Sequence, residues 1–257
     1  HRLAATLDRD DPMPKFGDPL PIGWHSILFP RVVRHSQIGK DGHPERGDFL
    51  PPVPLPRRMF AGRRITFHDS LRVGDEVRRD ASIKDVVIKQ GRSGQMVFVT
   101  LRVDLSTSRG LSLTEEHDVA YRAEAVPGTP PPPPQPAPGN AIWKNTMTPD
   151  SVMLFRMSAL CFNGHRIHDD RSYTTEVEGY PGLIVHGPLI ATLLMDLLRR
   201  HLPKAFVTRF EFKAVRPTFD LHPFRLNGQP AADGKSVRLG AQDHEGCLPM
   251  QATATLD

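Results

Sequence analysis

The stretch LIVHGPLIATLLMDLLRRHLP, residues 183–203, carries the most regular apolar pattern in the chain. Pro188 stands at a favoured first-turn position, "RRH" suits the negative end of a helix dipole, and Pro203 ends the helix. A helix this apolar must be buried on most of its sides. Its apolar residues recur at helical spacing: Leu189, Ile190, Leu193, Leu194, Leu197 and Leu198.

Runs with β-branched residues and alternating polarity flank this helix and predict antiparallel strands. The runs before it cover 76–90, 94–108 and 110–123, and those after it cover 206–218, 223–228, 236–245 and 248–257. One apolar helix wrapped by a long antiparallel sheet is the plan of a hotdog fold. We therefore predict an α+β protein, a double hotdog, with the central helix well formed mainly in the C-terminal half.

A proline-rich segment, VPGTPPPPPQPAPG at 126–139, divides the chain into two halves of similar size. Polyproline cannot join a sheet or continue a helix, and it acts as a stiff spacer. We predict an N-terminal half over 1–125, a linker over 126–138 and a C-terminal half over 139–257. Residues 48–65 are too rich in proline for a regular helix.

The composition, 39% hydrophobic and 24% charged residues, is that of a globular protein. No apolar run approaches membrane-spanning length, and the N-terminal residues lack the pattern of a secretory signal. Two cysteines, Cys161 and Cys247, make neither a disulfide framework nor a sulfur metal site. These features predict a cytoplasmic protein that is not bound to a membrane.

Basic residues cluster at 56–58, 62–64 and 77–79 within a chain of net charge +4. Such clusters suit a phosphorylated ligand as readily as nucleic acid. Neither an aromatic RNA-binding signature nor a helix-turn-helix pattern is present, so we expect no nucleic-acid partner.

The stretch CFNGHRIHDD, residues 161–170, has three possible interpretations. It is a metal centre, a catalytic acid/base cluster, or simply a polar loop. A metal centre would use His165, His168 and His186, but these lack the cysteines or the helical histidine pair with an acid that zinc sites usually show. We therefore expect no metal.

The motif resembles that of the MaoC-like, or R-specific enoyl-CoA hydratase, family, which runs Asp, any residue, Asn, Pro, Leu, His and then usually another aspartate. His168 stands at the position of the catalytic histidine, and Asp170 at the later acid. His186 and Gly187 in "IVHGPL" match the His-Gly that opens the buried helix. Asn163 departs from the pattern, since the family has an aspartate there.

The resemblance extends to residues 17–32, 42–77 and 162–198, which look like the bacterial branch that hydrates mesaconyl-CoA, also called itaconyl-CoA or 3-methylfumaryl-CoA hydratase. It implies a reversible step between mesaconyl-CoA or itaconyl-CoA and citramalyl-CoA, as in itaconate or mesaconate catabolism. Hydration of straight-chain enoyl thioesters and non-catalytic binding of acyl-CoA are the alternatives. The small-molecule partner is an acyl-CoA in each case.

Hydration of a conjugated thioester needs a base for water, donors for the enolate oxygen and a proton for the α carbon. We expect His168 to be the base and the Gly187 N–H to stabilise the oxygen. Asn163 is expected to hold the water without adding negative charge beside an anionic acyl group. No cofactor is required, because coenzyme A is part of the substrate.

Substrate-binding candidates follow from position and charge. His165 is expected to support the site or to lie in a solvated loop, and His186 is expected to pack or hydrogen-bond so that it shapes the turn. Arginines on the N-terminal half match both phosphate and carboxylate, and exposed sheet edges suit a homodimer. The remaining candidates are Arg57, Arg58, Arg63, Arg64, Arg166 and Tyr180 for binding, Trp24, His25 and Phe60 as further lining residues, and Lys144 or Arg171 as alternative cations.

Overall fold

The computed structural model describes residues 1–45, 49–91, 94–123 and 133–257. Within these ranges the chain forms α-helices α1 (Arg2–Thr6), α2 (Ser151–Cys161) and α3 (Gly187–His201). The strands of the first half are β1 (Arg57–Phe67), β2 (Arg78–Gly91), β3 (Gly94–Thr107) and β4 (Gly110–Arg122). Those of the second half are β5 (Trp143–Met147), β6 (Val207–Ala214), β7 (Phe224–Pro230), β8 (Ser236–Gln242) and β9 (Met250–Leu256).

All nine strands belong to one sheet, in the order β2-β3-β4-β1-β6-β9-β8-β7-β5. Every neighbouring pair is antiparallel, and β1 pairs with β6 at the junction of the two halves, where Ile65 lies opposite Phe210. The seven strands predicted from alternating residues are present in the sheet. The predicted α+β architecture, a long antiparallel sheet around a central helix, is confirmed.

Helix α3 is the centre of the core. Its residues 189–198 are all buried, and it contacts β5, β7, β8 and β9. Leu3 and Leu7 from the N-terminal segment and Leu154 from α2 belong to the same hydrophobic cluster. Burial of one leucine side chain stabilises a fold by about 2 kcal/mol, so the helix holds the surrounding elements together.

One charged residue, Asp196, is buried within α3. Its carboxylate accepts a hydrogen bond from Arg9 at 2.6 Å and another from Arg200 at 2.7 Å. A buried charge is tolerated when it is paired in this way. The pair with Arg9 attaches the N-terminal segment to the far end of the central helix.

Four of these elements were not predicted from the sequence. Helix α1 has only five residues, strand β1 lies partly within the proline-rich segment 48–65, helix α2 precedes the histidine motif, and β5 forms the second sheet edge. The four lack a long, regular apolar period of their own.

The predicted linker is only partly described, since its residues 126–132 lie outside the described ranges. Its remaining residues run beside the 246–248 turn. Ala137 N–H donates to the Gly246 carbonyl at 2.9 Å, and Leu248 N–H donates to the Gln135 carbonyl at 2.8 Å. Strands β1–β4 precede the linker and β5–β9 follow it.

Among the described residues, no helix combines the length and the hydropathy that a membrane span requires.

Candidate active site

The loop after α2 carries the histidine motif. The helix ends at Phe162, which is left-handed with φ 51°, and Asn163 N–H donates to the Ser158 carbonyl at 2.8 Å. The side-chain oxygen of Asn163 accepts a hydrogen bond from the His165 N–H at 3.1 Å. Asn163 therefore holds the turn that brings His165 and His168 to the sheet.

His168 is anchored to the segment that leads into α3. Its Nδ1 lies 2.7 Å from the Ile184 carbonyl oxygen, and the Ile184 N–H donates to the Ile167 carbonyl at 2.9 Å. A carbonyl oxygen only accepts, so Nδ1 carries the proton and Nε2 keeps its lone pair. This is the tautomer that a general base needs.

Four imidazoles lie in contact and are called the histidine row: His43, His165, His168 and His186. The His168 ring stacks on His186 with centroids 3.6 Å apart, and meets His165 edge-on at 5.5 Å. His43 stacks on His165 at 3.8 Å. The His186 Nε2 also lies 2.9 Å from the Ser158 hydroxyl oxygen, which fixes the ring in the row.

Three members of the row are neutral at physiological pH. Burial lowers the pKa of His168 to about 4, although the hydrogen bond to Ile184 opposes the shift. Burial and the neighbouring histidines lower the pKa of His165 to about 3 and that of His186 to about 2. A charged imidazole would be desolvated and repelled by its neighbours, which is the cause of all three shifts. His168 is therefore unprotonated, and its Nε2 lone pair is available to a proton of water.

Gly187 is the first residue of α3, directly after His186. The first helical bond within α3 runs from the Ile190 N–H to the His186 carbonyl at 3.1 Å. In the described part of the chain, the Gly187 N–H has no hydrogen-bond partner. This free donor at the positive end of the helix dipole can stabilise an oxygen that gains negative charge.

A loop from the N-terminal half contacts the histidine loop. The Asp41 carbonyl accepts from the Arg166 N–H at 2.9 Å, and Gly42 packs directly on the backbone of Gly164. A Cβ on Gly42, whose φ is 86°, would overlap the Gly164 carbonyl oxygen. Glycine is required at position 42 because the two loop backbones come so close together. The contact between the loops places the His43 ring against the His165 ring.

Asp41, His43 and His165 each place one potential metal-ligand atom within 4.8 Å of the other two. The two imidazoles lie nearly face to face, with centroids 3.8 Å apart and a tilt of 36°, which is the arrangement of rings packed on each other. The Asp41 carboxylate already accepts from the His43 N–H at 3.0 Å. We assign no metal to this cluster.

The four arginines of β1 are separated by the sheet. Arg57 is exposed at the strand start, and Arg64 lies on the outer face, where its Nη2 donates to Asp118 at 2.8 Å. Arg63 faces inward, on the same side as Phe212. The charge of Arg58 reaches His165 and helps to lower its pKa. Of these four, Arg58 is the one whose charge reaches the histidine row, and Arg63 lies on the inner face beside Phe212 and Glu115.

The other candidates have local partners. Arg166 pairs with Asp170 at 2.7 Å and covers the Tyr173 ring at 4.1 Å, so it stabilises the loop. Tyr180 packs against Phe219 with centroids 6.1 Å apart. The remaining residues lie elsewhere: Trp24 in the core beneath Arg199, His25 against Glu115, Lys144 exposed on the edge strand, and Arg171 paired with Asp220.

Two cavities lie away from these reactive atoms. One of 540 Å³ is beneath residues 135–141, beside Lys213 and Gln251, and Arg63 and Arg64 of β1 also line it. The other, of 370 Å³, is at the C-terminal end of α3, beside Leu198 and Leu202. Neither is lined by His168 or Gly187. The candidate site is instead the junction between the two halves, where Phe60 approaches Gly187.

Comparison with known proteins gives the family. A profile of the hydroxyacyl-thioester dehydratase type 2 family matches residues 23–220, which include the histidine motif and α3. The chain belongs to this family. It is also 45% identical over 253 residues to the mesaconyl-C(4)-CoA hydratase of Chloroflexus aurantiacus, covering 98% of this chain and 89% of that one.

Solved structures show the same fold. A MaoC-like dehydratase from Phytophthora capsici is 12% identical, with a TM-score of 0.69 over 100% of this chain and 90% of that one. A Mycobacterium tuberculosis protein described as a double hotdog is 16% identical, with a TM-score of 0.53 over 100% and 86%. The predicted double hotdog and the resemblance to the MaoC-like family are confirmed.

Sequence reasoning did not identify three contributors to the site. These are the Ile184 carbonyl, which sets the His168 tautomer, the Ser158 hydroxyl, and the contact of Gly42 and His43 with the histidine loop. The stretch "GHPE" at 42–45 belongs to a segment that resembles the family, but the histidine loop that it contacts lies in the other half of the chain. A single sequence carries no signal for such a pairing.

We predict that His168→Asn abolishes hydration of an acyl-CoA substrate while the fold persists. The amide N–H₂ of asparagine can still donate to the Ile184 carbonyl, but the variant has no basic Nε2. Turnover should fall on the order of a hundredfold or more, with a melting temperature close to the parental value. Near-parental turnover would show that another group is the base.

We predict that Gly187→Ala lowers kcat/KM roughly tenfold or more without loss of stability, because a Cβ would occupy the approach to the N–H. That Cβ would lie 3.8 Å from Met250 Cε and 3.9 Å from Phe60 Cδ1, which is ordinary packing. Gly139→Ala, where a Cβ meets nothing within 4 Å, is the matched control. Equal kcat/KM for the two variants would mean that no substrate atom approaches Gly187.

Proposed function

We propose that this protein is an acyl-CoA hydratase that adds water reversibly to mesaconyl-CoA or itaconyl-CoA and forms citramalyl-CoA, in itaconate or mesaconate catabolism. The observation that carries the proposal is the neutral His168 together with the Gly187 N–H at the start of α3: among the described residues, neither His168 Nε2 nor this N–H has a hydrogen-bond partner. The substrate rests on the 45% identity to a mesaconyl-C(4)-CoA hydratase.

The proposed reaction begins with a water between His168 and the β carbon. His168 Nε2 takes a proton from the water as its oxygen bonds to the β carbon. The electron pair of the double bond moves towards the thioester, and its oxygen gains negative charge beside the Gly187 N–H. The imidazolium then returns its proton to the α carbon, so His168 ends neutral.

The low pKa of His168 has two consequences for this cycle. The base is unprotonated throughout the physiological range, and the imidazolium formed during the reaction is a strong acid that readily gives its proton back. One group can therefore serve both steps. This accounts for a site with Asn163 where relatives of the wider family have an aspartate.

Asn163 fits an anionic acyl group. In mesaconyl-CoA a carboxylate is attached to the β carbon, close to the attacking water. If residue 163 were an aspartate about 4 Å from the substrate carboxylate, the two charges would repel each other by about 4 kcal/mol at an effective dielectric constant of about 20. The amide avoids this repulsion. Its oxygen already accepts from the His165 N–H, and its NH₂ is left to donate towards the substrate or the water.

Dehydration of a hydroxyacyl thioester is the second candidate, because the matched family is named for that reaction. The same residues serve in reverse, with His168 protonating the departing hydroxyl group. A straight-chain acyl group has no free carboxylate. It would be accepted only if the site does not require one. The substrate, rather than the catalytic residues, separates the two candidates.

The proposal includes no metal or redox cofactor, because proton transfer and oxyanion stabilisation suffice. It also places the enzyme in the cytoplasm, consistent with its free Cys161 and Cys247. A homodimer is part of the same proposal. Strand β2 is a sheet edge with exposed Ile83, Val86 and Ile88, and such an edge favours pairing with a second copy.

The test is the absorbance of the conjugated thioester during incubation with mesaconyl-CoA or with crotonyl-CoA. We expect absorbance to be lost with mesaconyl-CoA and citramalyl-CoA to appear. Loss with crotonyl-CoA alone would favour the straight-chain substrate instead. Tight binding of both compounds without any absorbance change would contradict catalysis and indicate a binding protein.

A further inference from the structure

A buried charged cluster lies on the inner face of the N-terminal half and has no part in the proton transfers above. We call it the Arg63 cluster; it consists of Arg63, Glu115, His117 and His25. The Glu115 carboxylate lies 2.6 Å from His25 Nε2 and 2.5 Å from His117 Nε2, and it accepts from Arg63 Nη1 at 3.4 Å. The register of β1, β4 and β6 places Arg63, His117 and Phe212 side by side.

Glu115 is the fixed anion of this cluster. Burial alone would raise its pKa, but the charge of Arg63 and the hydrogen bonds of His117 and His25 hold it well below the usual value. Both carboxylate oxygens are occupied by the two imidazoles. The carboxylate is therefore ionised and held in place, and it positions the guanidinium next to it.

Arg63 is only partly paired in this arrangement. Its single contact with Glu115 uses Nη1 and is long. Nε is buried and has no hydrogen-bond partner among the described residues, and none is present for Nη2 in the same part of the chain. The Nε–Nη2 edge of a guanidinium matches the two oxygens of a carboxylate. A buried donor left without a partner destabilises the protein, and more so when it is charged.

Two phenylalanine rings connect Arg63 to the start of α3. The guanidinium carbon of Arg63 is 6.0 Å from the centre of the Phe212 ring, and Phe212 is 5.6 Å from Phe60. Phe60 in turn approaches Gly187. The thiol of Cys161, at the start of the histidine motif, has a pKa raised by burial, and the charge of Arg63 opposes that shift. Arg63 therefore lies on the part of the N-terminal half that meets Phe212, Phe60 and the start of the histidine motif.

Resting on the proposed function, we propose that the Nε–Nη2 edge of Arg63 binds the free carboxylate of the acyl group and selects dicarboxylic monothioesters over neutral ones. Glu115 is the positioning residue for this contact. Arg64 is unsuited, because it is on the outer face and pairs with Asp118 and Glu116. A neutral acyl group would leave the Arg63 donors unpaired, and sites built in this way reject such analogues strongly.

The experiment compares two saturated thioesters of equal carbon number that cannot be hydrated. Succinyl-CoA carries a free carboxylate and butyryl-CoA does not. Binding of each is measured by calorimetry for the parental protein, Arg63→Gln and the control Arg64→Gln. We expect the parent to prefer succinyl-CoA, and Arg63→Gln to weaken succinyl-CoA binding on the order of tenfold or more while butyryl-CoA binding changes little. Arg64→Gln should alter neither.

An equal loss for both thioesters, or no change in their ratio, would overturn the role of Arg63. Because Arg63→Gln leaves Glu115 without a cation, the double variant Arg63→Gln/Glu115→Gln is measured as well. It removes opposite charges together, and it should show the same loss of preference with a parental melting temperature. These measurements need no turnover. A preference for succinyl-CoA in a protein that hydrates nothing would refute the proposed function and keep the binding role.

Discussion

Burial of α3 is the constraint on which the rest of this structure depends. A helix with ten consecutive buried residues needs apolar cover around its whole circumference, and the sheet, α1 and α2 provide it. Because no helical turn precedes its N-terminus, the first backbone donors of α3 have no acceptor within the helix, and the Gly187 N–H has none elsewhere among the described residues. Gly187 lies there, and the chain before it, through the Ile184 carbonyl, fixes His168. The same packing that stabilises the core therefore builds the site.

The two halves contribute different electrostatics to their junction. The C-terminal half supplies imidazoles that burial keeps neutral. These imidazoles therefore carry no charge before a proton is transferred. The N-terminal half has no long helix among its described residues, and its inner face carries Arg63 and Glu115 where a second central helix would pack. A proton-transfer group on one side and a fixed cation on the other suit a substrate with both a thioester and a carboxylate.

Much of the fold was predictable because its signals are local. The apolar period of residues 189–198 predicts α3, and alternation predicts seven strands. Strand β1 was missed because proline and arginine obscure its pattern, yet it joins the halves through β6. At the site, His168 and Gly187 were predicted from their motif, and their catalytic roles stay predictions. The His168 tautomer, the position of His43 and the opposite faces of Arg63 and Arg64 depend on contacts between distant segments, which no local pattern encodes.

The central claim is that His168 is a neutral base with its proton on Nδ1. Nitrogen-15 NMR of the imidazoles across a pH titration tests it most directly, with His168→Asn identifying the signal. The account predicts an Nδ1–H tautomer that stays neutral through the ordinary histidine range and titrates near pH 4. The signal of an exposed histidine would move near pH 6.5. An Nε2–H tautomer, or titration of His168 near pH 6.5, would contradict the account.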